Sequence, residues 1–245
     1  MPSPLQKIEL ALCGLAIDDP KYKAFRQKTT KLRVLGIRVP VLQKLVCDGF
    51  QFYNKTEKDI LHVWNGVWNT SRMHEAMYLP LFYYRNHKHV LGTYEWHVIK
   101  KWIDRVENWE HADALAYLYS ILLERYPKLI LPTLKKWNRS NNPWKQRISI
   151  VSLIYYASKN RKAPPVGLVL KMVEPLIPSK DPYVRKAVGW TLRESYKLYP
   201  KETFAFLKKH IQELAAVSFS YATERVTKEQ KTELKRMRSR QKSKF

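Results

Sequence analysis

Apolar residues recur at helical spacing along almost the whole chain, and no run alternates apolar and polar in the manner of a half-buried strand. The clearest stretch begins at Trp109. At about 100° per residue, Leu115, Leu118, Tyr119 and Leu122 gather on one face, while Trp109, Asp113, Tyr117, Ser120 and Glu124 gather on the other. The pattern predicts an amphipathic helix whose core does not need this indole. An indole beside an outward carboxylate suits a site that grips something planar or sugar-like. The same residues could instead complement a helix N-terminus and pack on a neighbouring helix. A second tryptophan, Trp190, lies off the apolar stripe of Val184, Ala187, Val188, Thr191 and Ser195, and Gly189 beside it lets another backbone or a ligand come close.

Prolines mark helix starts: Pro40 ahead of Val41 to Cys47, Pro143 after Asn142, and Pro182 after Asp181. In the last two, a capping side chain precedes a first-turn proline. These two starts are also copies of each other. Asn142-Pro143-Trp144 with Arg147 aligns on Asp181-Pro182-Tyr183 with Lys186 at an offset of 39 residues, and starts near Asn69 and Asn108 extend the spacing less perfectly. A period of this length with paired helices predicts an all-α, HEAT-like solenoid whose concave surface holds the ligand. The expected domain spans residues 1–228. Residues 229–245 are dense in charge and read as a disordered basic tail.

The 45 Lys and Arg against 21 Asp and Glu give a net charge of +24, spread along the chain. Such a chain self-repels unless its partner is a polyanion or an anionic surface, and nucleic acid leads. No stretch approaches the roughly 20 apolar residues of a spanning helix. Residues 1–6 lack the basic and apolar regions of a secretory signal, so the expectation is a soluble intracellular protein. Cys13 and Cys47 sit in apolar helical contexts without a C-x-x-C pair and read as buried free thiols. Lys88 between His87 and His89 argues against a metal there. Arg147, on the first turn of its helix beside Trp144, suits a phosphate or carboxylate, or a neighbouring acid.

Four ordered motifs carry a resemblance over roughly residues 30 to 225. They are Leu35-Gly36-Ile37-Arg38-Val39-Pro40, Asn108-Trp109-Glu110-His111-Ala112-Asp113, Asn142-Pro143-Trp144-Lys145-Gln146-Arg147, and the run Lys186 to Glu194 containing Gly189-Trp190 and Leu192-Arg193-Glu194. With these the chain resembles the DNA alkylation repair proteins of the AlkD type, HEAT-like DNA glycosylases.

The resemblance implies catalytic roles for Asp113, Trp109 and Trp190, with Arg147, Trp144, Arg38, Lys145 and Arg193 on the DNA. It implies hydrolysis of the N-glycosidic bond to cationic alkylated purines, N3-alkyladenine and N7-alkylguanine, in duplex DNA. Trp109 and Trp190 would flank the deoxyribose, and neither a metal nor an organic cofactor takes part. The expected protein is a bacterial cytoplasmic monomer, nucleoid-associated through its DNA. Two departures from the family pattern bear on substrate range: Pro143, and Glu110-His111-Ala112, where His111 could add a contact or charge beside the lesion. The alternatives are a non-catalytic HEAT-like module that binds branched or damaged DNA, and a protein-binding scaffold.

Overall fold

The computed structural model describes residues 2–154 and 161–240. Among these the chain is all-α, with fourteen α-helices, short 3-10 turns and a single isolated bridge between Arg33 and Met73. The chain divides into two compact units, residues 1–122 and 123–245, where one domain was expected up to residue 228.

The first unit holds α1 (Pro4–Gly14), α2 (Pro20–Gln27), α3 (Val39–Asp48), α4 (Glu57–Thr70), α5 (His74–Asn86), α6 (Thr93–Ile99) and most of α7 (Trp109–Arg125). Its centre is α5, whose residues from His74 through Tyr84 are all buried and which packs against α1, α3 and α4. A helix apolar all round belongs inside. Aromatic rings fill the space beside it. The Trp68 and Trp102 indoles stack at 5.1 Å, and each finds an acceptor, Trp68 Nε1 on the Trp102 carbonyl and Trp102 Nε1 on Asn65 Oδ1. Burying an indole without satisfying its N–H would waste much of the gain.

The second unit holds α8 (Pro127–Asn138), α9 (Pro143–Val151), α10 (Val166–Val173), α11 (Pro182–Leu198), α12 (Pro200–Lys209), α13 (Ala216–Ala222) and α14 (Lys228–Arg240). Helix α11 packs against α9 on one side and α13 on another, with α10 and α12 also against it. The sequence copies are structural copies. Asn142 Oδ1 caps α9 by accepting from the amides of Trp144 and Lys145, and Asp181 Oδ1 caps α11 by accepting from those of Tyr183 and Val184. The flanking bonds repeat at the same offset: Gln146 donates to the Ser140 carbonyl, and Arg185 to that of Ser179. The equivalents Trp144 and Tyr183 stand ring to ring at 4.9 Å.

Four expectations change. Asn69 lies inside α4, and the next helix starts at His74. Cys13 and Cys47 are free but exposed, because each sits near the end of its helix on the polar side. Ser120 is buried and donates to the Tyr117 carbonyl, since α7 is covered on more than one face. Residues 228–240 form a helix instead of a disordered tail. Thr227 and Gln230 make a reciprocal capping box, and Leu234 on the inward face is fully buried. Residues 241–245 lie outside the described residues.

Gly189 serves a second backbone. A Cβ at this position would lie 2.6 Å from the Ser218 carbonyl oxygen and 2.7 Å from Tyr221 Cβ, both on α13. Gly189→Ala is therefore expected to force α11 and α13 apart and cost about 1–3 kcal/mol, readable as a lowered urea midpoint. An unchanged midpoint would mean that the two helices separate freely.

Candidate functional site

Asn108 starts α7 by accepting from the His111 amide at 2.9 Å, and this fixes the rotation of the helix's first turn. Trp109 then points outward, 37% exposed, with Asp113 half-buried one turn later. Both stand in the first unit. Between them Glu110 and His111 point inward, and both are buried.

The inward pair is held from three elements. Glu110 accepts from the Arg26 guanidinium of α2 and from His74 Nε2 of α5, the latter at 3.1 Å. Arg26 Nε also donates to the Tyr22 hydroxyl. His111 Nδ1 accepts from Asn108 Nδ2, which leaves its Nε2–H to donate to the His74 carbonyl at 3.1 Å. The His74 and His111 rings stack at 4.6 Å. His111 therefore adds neither charge nor contact at the outward face, contrary to the expectation from its position between Trp109 and Asp113. Burial and the neighbouring His74 hold its pKa well below the ordinary histidine value.

That shift has a sign. Unfolded His111 takes a proton near pH 6.5, whereas the folded ring resists it, so in that window the unfolded chain binds more protons. Stability is full above about pH 6.5 and falls as the pH drops below it, by up to about 1.4 kcal/mol per pH unit from this ring. His111→Asn is expected to flatten that acid-side slope in denaturant titrations; an unaltered slope would show that the ring titrates alike in both states.

Tyr78 is a residue that the sequence reading missed. Its ring lies edge-on to His111 at 4.8 Å and stacks on Phe82 at 5.2 Å. Burial raises its hydroxyl pKa, the Arg26 charge opposes this, and the Asp113 carboxylate adds to it. The signal was available, because His74, Glu75 and Tyr78 are polar-tipped residues in the first turns of a helix whose centre is apolar. Glu75 has its own task. Its buried carboxylate accepts from the amides of Leu35 and Gly36, where Gly36 takes φ 84°. The first motif is thus a loop clamped onto α5, ending at Arg38, whose guanidinium lies 3.6 Å from the Tyr22 ring centroid and pairs with Asp19 at 2.7 Å.

In the second unit, the third and fourth motifs meet. Arg147 is 5% exposed, donates through Nη1 to the Tyr183 carbonyl at 2.6 Å, and holds its guanidinium 5.9 Å from the Trp190 ring centroid. Trp144, Lys145 and Trp190 are half-buried. Arg193 is held locally by Glu194 and Glu224. Among the described residues, no group of three or more His, Cys, Asp or Glu side chains could hold a metal, and no helix is long and apolar enough to cross a membrane.

Comparison with known proteins agrees with the architecture. A predicted DNA alkylation repair enzyme from Enterococcus faecalis superposes with a TM-score of 0.71 at 16% identity, over 86% of this chain and 97% of that one. The smu.31 protein of Streptococcus mutans gives 0.60 at 17% identity, over 92% and 100% of the two chains. AlkD2 from Streptococcus mutans gives 0.57 at 14% identity, over 97% and 98%. No curated protein sequence matches the chain. Identities this low establish the fold alone. The sequence itself goes further, because residues 15–226 match the family model for the DNA alkylation repair enzyme, and those residues contain all four motifs. The chain belongs to the DNA alkylation repair enzyme family.

Proposed function

We propose that the protein is a monofunctional DNA glycosylase, acting as a monomer on duplex DNA that carries cationic alkylated purines. The observation that carries this reading is the first turn of α7. Trp109 is 37% exposed and Asp113 is half-buried one turn later, while Asn108, Glu110 and His111 around them are buried.

N3-alkyladenine and N7-alkylguanine are already positively charged and leave without protonation, so no general acid is needed. As the glycosidic bond breaks, the deoxyribose takes on oxocarbenium character. A carboxylate beside it stabilises that charge and orients the attacking water, the part given to Asp113. The Trp109 face adds cation–π attraction of about 0.5–2 kcal/mol, and Trp190 is assigned the same part. Arg147 fixes Trp190 from beside its ring and brings positive charge to it. Trp144, Lys145, Arg38 and Arg193 are assigned to phosphate contacts, which position DNA without reading its sequence.

Substrate comparison tests the reading. Duplexes containing N7-methylguanine should lose the base, and duplexes containing hypoxanthine, neutral and in need of an acid, should not. Equal release of both would require a proton donor absent from this scheme. Binding without release of either would support a non-catalytic damage-binding module instead.

A further inference from the structure

Helix α14 lies beyond residues 15–226 matched by the family model. It is nevertheless fixed to the second unit. Leu234 is fully buried, Gln230 accepts from the Tyr196 hydroxyl at 2.6 Å, and Gln212 donates to the Met237 carbonyl at 2.7 Å. Arg238 turns inward, over the Phe219 ring and onto the Ile211 carbonyl. Glu233 faces Lys208 of α12 at 3.7 Å.

With these residues occupied, the helix period leaves a single outward stripe. Lys228, Lys231 and Lys235 fall within about 60° of one another, whereas Arg236 lies about 80–140° round the helix, on the same side as Glu229. Lys228, Lys235 and Arg236 are exposed and Lys231 is half-buried. Among the described residues, no carboxylate stands within ion-pair distance of any of these four. The helix's acids lie elsewhere: Glu233 on Lys208, and Glu229 in the first turn, off the stripe.

We propose that the outward stripe of α14 is a second phosphate-binding surface for duplex DNA, lying beyond the residues that the family model matches. Lys228 to Lys235 spans roughly 10 Å of helix axis, against which a duplex presents about six phosphate charges. Three ammonium groups oppose about half of that charge, and at little ordering cost because the helix is already docked. The proposal rests on duplex DNA being the partner.

The test is a duplex-binding titration of the full chain at several salt concentrations, on undamaged DNA. Lys228→Gln, Lys231→Gln and Lys235→Gln combined should weaken binding about tenfold or more near 0.1 M salt. The slope of log K against log salt should shrink by about 2 to 3, since each lost phosphate contact removes about 0.9. The corresponding triple Lys→Arg variant should restore both, and circular dichroism should show the helical content of the parent in each. A parental slope and affinity in the glutamine variant would overturn the stripe while leaving the glycosylase reading standing. Failure of the parent chain to bind duplex DNA would overturn both. Lysine-dependent binding to phosphatidylserine vesicles in place of duplex would assign the stripe to an anionic membrane and overturn the proposal.

Discussion

Asp113→Asn is expected to slow release of an alkylated purine by about a hundredfold to a thousandfold, leaving duplex affinity and thermal stability close to the parent. The substitution keeps the size of the side chain and removes its negative charge at the place where positive charge develops on the sugar. Before the bond breaks the positive charge sits on the alkylated base and not on the sugar, so binding has less to lose than the transition state. Single-turnover release of N7-methylguanine, with affinity measured alongside, separates the two quantities. Parental rates in the asparagine variant would remove Asp113 from the chemistry.

The largest stability loss is expected from Glu110→Ala. The carboxylate is buried and is the acceptor for both the Arg26 guanidinium and His74 Nε2. Removing it leaves a half-buried cationic group and a buried ring N–H without their acceptor, a loss of about 3 kcal/mol. In a chain of this size that lowers Tm by roughly 10 °C. Helix α2 has no buried residue of its own, so it should loosen first, and hydrogen exchange should rise across residues 20–27 before the rest of the unit. Glu110→Gln keeps an acceptor and should cost less. A Tm unchanged in the alanine variant would mean that the Arg26 and His74 contacts contribute nothing net.

Much of this was legible in the sequence. The all-α fold followed from helical periodicity, and the helix starts at Pro143 and Pro182 followed from a capping side chain ahead of proline, because both signals are local. The exposure of Trp109 was legible for the same reason. What was not legible depends on contacts between distant segments. The inward turn of His111 is set by Asn108 and by a carbonyl 37 residues away, neither of which helical periodicity reports. Tyr78 was passed over because its contact with His111 joins two helices far apart in sequence. Composition misled at α14, where eleven polar residues of thirteen concealed a Thr227-to-Gln230 capping box and one buried leucine, enough to dock the helix. Gly189 was recognised as a point of close approach, but only the structure shows that a backbone makes that approach.

The measurement that bears most directly on the central claim is the product formed when the parent chain, in excess, is incubated with a methylated duplex. Free N3-methyladenine and N7-methylguanine should appear by chromatography, with matching abasic sites in strands whose phosphodiester backbone is intact, and Asp113→Asn should form neither. A parent chain that binds the methylated duplex tightly and releases no base would contradict the account.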